Sequence, residues 1–201
     1  MKTLFLVLLF HASVALALPT KNILIFGDSL SAGYGIAREQ GWPALLGQKL
    51  AAGKLPYAVT NVSISGETTA GGRTRLAAAL RQHQPAVVII ALGANDGLRG
   101  LPLAAMRSNL VQMIRTARKQ KVKVLLIGMQ LPPNYGTDYT AGFARTFSEI
   151  AKQEKVPLLP FLLAPIAAQR DAFQADNLHP TANAQAALLG HVWPALLPLL
   201  R

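Results

Sequence analysis

The 201-residue chain contains no cysteine. Thiol nucleophiles, disulfides, thiolate metal sites and lipid attachment through cysteine are therefore excluded. Acidic side chains are scarce, with 9 Asp+Glu against 20 Lys+Arg and a formal charge of +11. Charged residues amount to only 14% of the chain and 51% is hydrophobic, which is a globular composition rather than a disordered one. Aromatic residues make up 6%, and no stacking pattern or reading motif accompanies the positive charge, so a nucleic-acid partner is not expected. The phosphate-cradling patterns G-x-G-x-x-G and G-x-x-x-x-G-K-[ST] are also missing, which leaves little support for a nucleotide-binding module. Histidine occurs only four times, so any acid–base role for imidazole has few candidates.

The amino terminus reads as a secretory leader over residues 1–17. Lys2 gives the positive start, Leu4 to Phe10 the apolar centre, and Ala15-Leu16-Ala17 a small-x-small cleavage site. An uncleaved anchor is the competing reading, but the apolar stretch is interrupted by His11 and Ser13, and a span needs roughly 20 apolar residues. Cleavage would leave residues 18–201 as one exported domain, in a bacterial periplasm or beyond. The densest basic run, Arg115, Arg118, Lys119, Lys121 and Lys123, surrounds an expected helix end, where cations suit the helix dipole. A solvated face is one reading of it, and transient contact with an anionic membrane surface or a phosphate-bearing substrate is the other.

Behind the leader, strand-like and helix-like segments alternate. Strands are expected at residues 22–26, 57–63, 86–92, 122–129 and 157–161, and helices at 38–52, 69–82, 103–119, 140–152 and 180–199. The continuous apolar run 86–92 has the character of a central parallel strand buried on both faces. A βαβα order implies an α/β fold: a three-layer α/β/α sandwich around a five-stranded parallel sheet, in a single domain.

Each loop that follows a strand then lies on one edge of the sheet, where open α/β folds place their sites. The first carries Gly27-Asp28-Ser29. Ser29 reads either as a nucleophile for acyl transfer or, with Asp28, as a cap of the next helix. The second carries Gly66, whose N–H could face an oxyanion or simply serve a turn. The third carries Asn95, an amide donor or an Asx turn with Asp96 and Gly97. The fourth, Leu131 to Tyr135, puts Leu131, Pro132 and Tyr135 where an acyl chain could lie, and the Gly97–Pro102 segment is a second such wall. Near the carboxyl end, Asp176 precedes His179 by three residues, so a turn can bring the carboxylate to the imidazole. His179 would be the base and Asp176 its orienter, against the alternative of a helix-capping aspartate beside a surface histidine. His83 falls at a polar helix end and His191 inside the last helix, and neither is assigned to the site. Gly71 and Gly72 could loosen the second loop or merely mark an irregular helix start.

Gly27-Asp28-Ser29-Leu30, Gly66, Gly93-x-Asn95-Asp96 and Asp176-x-x-His179 resemble, in order, the four blocks of the SGNH (GDSL) hydrolase superfamily. Residues 63–69, 93–100 and 131–136 extend the likeness to its bacterial periplasmic thioesterase I / protease I / lysophospholipase L1 (arylesterase) group. The resemblance implies Ser29 as nucleophile, Asp176 and His179 as its catalytic partners, and an oxyanion hole of the Ser29 backbone N–H, Gly66 and Asn95. It also implies a flavodoxin-like strand order 2-1-3-4-5, no metal and no cofactor. Small-molecule acyl esters, thioesters or lysophospholipids are the implied substrates, with a carbohydrate O-acetyl ester as the alternative, and the protein is expected to be a monomer. Asn177 stands where such sequences often have Gly, and Thr181 where Asn is common, which bears on the shape of the loop around His179.

Overall fold

The computed structural model describes residues 20–201. The expected leader at 1–17 lies outside them. Five parallel strands, β1 (Lys21–Gly27), β2 (Tyr57–Asn61), β3 (Val87–Ala91), β4 (Lys123–Ile127) and β5 (Leu158–Leu159), form one sheet in the order β2-β1-β3-β4-β5. The side-chain period of two splits each strand between two cores. Leu24 and Phe26 of β1, Val88 and Ile90 of β3, and Val124 and Leu126 of β4 face one layer. That layer consists of α3 (Thr69–His83), α5 (Leu103–Lys119) and α6 (Thr137–Glu154). Ile23, Ile25, Val87, Ile89, Leu125 and Ile127 face the other. There they meet α2 (Trp42–Ala52), α7 (Gln185–Leu196) and the segment around Leu162 to Ile166. Most of these side chains have no accessible surface, and each contributes about 1.5–3 kcal/mol by leaving water. Among the described residues, no helix is long and apolar enough to cross a membrane.

The element order agrees with the sequence reading, and the differences have local causes. The expected helix from Arg38 is a 3₁₀ turn, Arg38–Gln40, followed by α2, because Gly41 between them is extended and Pro43 suits only a first helical turn. β2 stops at Asn61, whose side chain takes the Ser63 N–H and donates to the Ser31 carbonyl at 2.7 Å. β5 is cut to two residues by Pro160, which cannot donate to a ladder. Two short helices were not anticipated, α1 (Ser29–Ala32) and α4 (Ala94–Leu98), and both occupy loops at the carboxyl edge of the sheet. Gly71 and Gly72 lie inside α3 rather than loosening a loop. A Cβ at Gly72 would stand 2.4 Å from Leu92 Cδ1, so its absence lets the start of α3 settle on the sheet.

The basic run is partly consumed by structure. Arg115 grips the Glu154 carboxylate at 2.8–3.2 Å and holds it below the usual carboxylate range. Arg118 donates to the Glu154 carbonyl, and Lys123 Nζ to those of Leu199 and Arg201. Lys119 and Lys121 remain exposed.

At the β1–α1 junction Asp28 is 2% exposed, and its Oδ1 accepts the Leu30 N–H at 3.1 Å. Burial pushes its carboxyl from 3.8 up to about 7, with the negative charges of Asp96 and Glu67 adding to the rise and the Leu30 N–H opposing it. The folded state therefore holds a proton that the unfolded chain has already released, and the stability this gives is lost as pH rises from about 4 through 7. Asp28→Asn should flatten that slope and raise stability at pH 8 by on the order of a few kcal/mol. Denaturant midpoints of both proteins at pH 4, 6 and 8 check this, and an unchanged slope in the variant would show that Asp28 is not its source.

Candidate active site

The parallel sheet brings the loops after β1, β2, β3 and β4 and the chain after β5 to one edge. Ser29 is the first residue of α1, directly behind the Asp28 cap. Its Oγ lies 2.8 Å from Nε2 of His179, 150 residues away. His179 Nδ1 lies 2.7 Å from Oδ2 of Asp176. Because a carboxylate only accepts, this bond fixes the proton on Nδ1 and leaves Nε2 to accept from the serine hydroxyl. The other Asp176 oxygen accepts the N–H groups of Leu178 at 2.9 Å and His179 at 3.0 Å. Those bonds, led by the His179 N–H and then by the imidazole, lower its carboxyl from 3.8 to about 2. Asp176 thus stays charged well into the acid range. Asn177 sits in the left-handed region with φ 56°, a conformation in which Asn is tolerated, so its departure from Gly leaves the turn intact.

Three donors lie on the loops after β1, β2 and β3. Gly66 holds φ +79°, which only glycine adopts freely, and the Arg99 guanidinium fixes its carbonyl at 2.9 Å. Asn95, in α4, donates one amide hydrogen to the Glu67 carbonyl at 3.0 Å and keeps its second. Among the described residues, the N–H groups of Ser29 and Gly66 donate to no other protein atom. Free donors of this kind, beside a serine hydroxyl, have the chemistry to stabilise an oxyanion. The loop that presents them is tied down from behind. Glu67 pairs with Arg75, whose guanidinium lies 3.9 Å from the centre of the Phe26 ring. Buried Asp96 accepts the Thr69 N–H at 2.8 Å and its hydroxyl at 2.5 Å, and Asn109 donates to the same hydroxyl.

Ser29, Gly66, Asn95 and His179 open onto one cavity of about 690 Å³. Leu131 and Pro132 line it, as does Leu98 from the 97–102 segment. Tyr135 does not; its hydroxyl donates to the Leu98 carbonyl at 3.2 Å and braces that wall instead. A further apolar wall, from Phe161 and Leu163 to Phe173, follows β5. It escaped the sequence reading because nothing in that stretch has helix or strand periodicity. The bonds of Arg99, Arg75 and Asp96 escaped as well, since their partners lie 33, 8 and 27 residues away, respectively. His83 remains outside the site. His191 bonds the Phe161 carbonyl at 3.0 Å, as a packing residue does.

Residues 25–187 match the GDSL-like lipase/acylhydrolase family. Esterase TesA of Pseudomonas aeruginosa is 47% identical over 198 residues, covering 96% of this chain and 98% of its own. Thioesterase 1/protease 1/lysophospholipase L1 of Escherichia coli K12 is 39% identical over 198 residues, covering 98% and 91%. Among solved structures, the psychrotrophic esterase EstA from Pseudoalteromonas, inhibited by monoethylphosphonate, superposes with a TM-score of 0.86 at 38% identity, covering 90% of this chain and 98% of that one. Likeness of this degree, over almost the whole length of each partner, means that the chain belongs to the GDSL-like lipase/acylhydrolase (SGNH hydrolase) family and is a hydrolase of ester bonds.

Proposed function

We propose that Ser29 is the nucleophile, His179 its general base and Asp176 the orienter of that base. The bond of 2.8 Å between Ser29 Oγ and His179 Nε2, at the edge of a large apolar cavity, carries this reading. As Oγ attacks the carbonyl carbon of an ester or thioester, its proton passes to Nε2, and the charged Asp176 steadies the imidazolium. The tetrahedral oxyanion is met by the Ser29 N–H, the Gly66 N–H and the free amide hydrogen of Asn95. Collapse expels the alcohol or thiol, which takes the proton from His179. Water, deprotonated by the same nitrogen, then releases the acid from the acyl-enzyme.

The acyl chain lies along Leu131, Pro132, Leu98 and the wall after β5. The relatives' names span esterase, thioesterase, protease and lysophospholipase, and the substrates proposed here are acyl esters, thioesters and lysophospholipids. A cavity of 690 Å³ is in the range that holds ligands of drug size and is far larger than an acetyl group needs, which disfavours a dedicated O-acetyl esterase. The leader at 1–17 supports export to the periplasm or beyond, where the protein acts as a monomer and the exposed lysines allow transient contact with anionic lipid.

Ser29→Ala should lower turnover by about 10⁴–10⁶ with an unchanged fold, measured with a p-nitrophenyl ester and circular dichroism. Asn95→Ala should lower kcat by about 10²–10³ with little change in KM, and a defect confined to KM would remove Asn95 from the oxyanion hole. Each methylene added to the acyl group should raise kcat/KM by about two- to fourfold until the cavity is filled, since a buried CH₂ is worth about 0.8 kcal/mol. A p-nitrophenyl ester series measures this, and a maximum at acetate would favour the O-acetyl reading.

A further inference from the structure

The serine and histidine belong to loops at opposite ends of the chain, so something besides their own bond must set the distance between them. His179 and Asp176 lie in a hairpin closed by the antiparallel bridge between Phe173 and Pro180. Gln174 is built into that hairpin by its backbone, its N–H donating to the His179 carbonyl at 2.8 Å and its carbonyl accepting from Asn177 at 2.9 Å. Its side chain reaches outward. Nε2 donates to the Pro180 carbonyl at 3.0 Å and, across to the nucleophile loop, to the Tyr34 carbonyl at 2.8 Å. The Tyr34 N–H in turn donates to the carbonyl of Ser29 at 3.2 Å. Two hydrogen bonds therefore lead from the amide of Gln174 to the backbone of the serine, and a third holds the residue next to the histidine. The Tyr34 ring lies against the imidazole with centroids 4.5 Å apart. Gly35 makes the room: its φ is +76°, and a Cβ there would fall 2.0 Å from Gln174 Oε1.

We infer that Gln174 is a positioning residue, a clamp that holds the imidazole of His179 at bonding distance from the hydroxyl of Ser29. It touches no reacting atom. Both amide hydrogens are used on carbonyls of the two loops it joins, which is more than a space-filling side chain requires. A misplacement of 1 Å between reacting groups can cost about 10²-fold in rate, so a clamp of this kind acts on turnover rather than on substrate binding.

This inference rests on Ser29 and His179 having the roles proposed above. Gln174→Glu keeps the shape of the side chain and loses the donors at neutral pH, whereas Gln174→Ala loses both shape and donors. Each should lower kcat for a p-nitrophenyl ester by about 10–100-fold while KM stays within about threefold. Gly35→Ala should expel the amide from the other side and produce a similar loss. The double variant Gly35→Ala/Gln174→Ala should be no slower than the slower single variant, because one clamp cannot be broken twice. Thermal melts accompany each assay, and kinetics are compared below the lowest melting temperature. The clamp is refuted if Gln174→Glu retains kcat within threefold of the parent, if the losses appear in KM alone, or if they multiply in the double variant. Should Ser29→Ala itself remain active, the proposed catalytic roles fall as well; an inactive Ser29→Ala beside a fully active Gln174→Glu refutes the clamp alone.

Discussion

A hydrogen bond of 2.8 Å between residues 29 and 179 is the contact on which the site depends, and its two ends are 150 residues apart. No local propensity can bring them together. The sheet does so by being parallel: every strand leaves it at the same edge, and every crossover must return across a helical layer. The order β2-β1-β3-β4-β5 puts β1 near the middle, so the serine after it is flanked by the loops of β2 and β3, which carry Gly66 and Asn95. The chain continuing past β5 then wraps back over the same edge with Asp176 and His179. The architecture is held by the two apolar cores, and these know nothing of the chemistry.

Polar bonds then fix what the cores leave loose. The second loop is pinned by Arg99 to the Gly66 carbonyl, by Asn95 to the Glu67 carbonyl, and by Arg75 to the Glu67 carboxylate. Asp96, Thr69 and Asn109 lock the helices behind it in a buried network. These ties hold the free Gly66 N–H and the second amide hydrogen of Asn95 in fixed places, which is what preorganisation of donors means. Part of the large positive charge is therefore structural. Arg75, Arg99, Arg115 and Arg118 are engaged with carboxylates or carbonyls, although Arg99, Arg115 and Arg118 also remain exposed to solvent.

Asp176 and Asp28, each within a few residues of His179 or Ser29, are tuned in opposite directions by their surroundings. Asp176 is partly exposed and receives N–H bonds, so its charge is favoured and its carboxyl titrates near 2. Asp28 is buried, and its carboxyl titrates near 7. The first keeps the charge of a carboxylate bonded to an imidazole nitrogen. The second suits a cap that need not be charged at all. Residue type alone does not separate the two roles; solvation does.

The linear chain by itself determined the class of fold and the identity of the residues that meet at the site. Apolar runs of strand length alternating with helical spacing specify a doubly covered parallel sheet, and Gly-Asp-Ser, Asn95 and Asp176-x-x-His179 are readable because their polar side chains stand out in loops between the apolar and helical segments. Boundaries were legible where a periodic face ran the whole length, as in Leu103–Lys119, and were lost where proline or a side-chain bond cut an element short, as at Pro160 and Asn61. What only the tertiary structure decided is the shape and support of the site. The wall from Phe161 to Phe173, the displacement of Tyr135 from the cavity, and the bonds made by Arg99, Asp96 and Gln174 all depend on partners brought close by packing. Local sequence carries backbone preference and side-chain chemistry. It does not carry the distance between two loops, because that is set by the summed geometry of the layers between them.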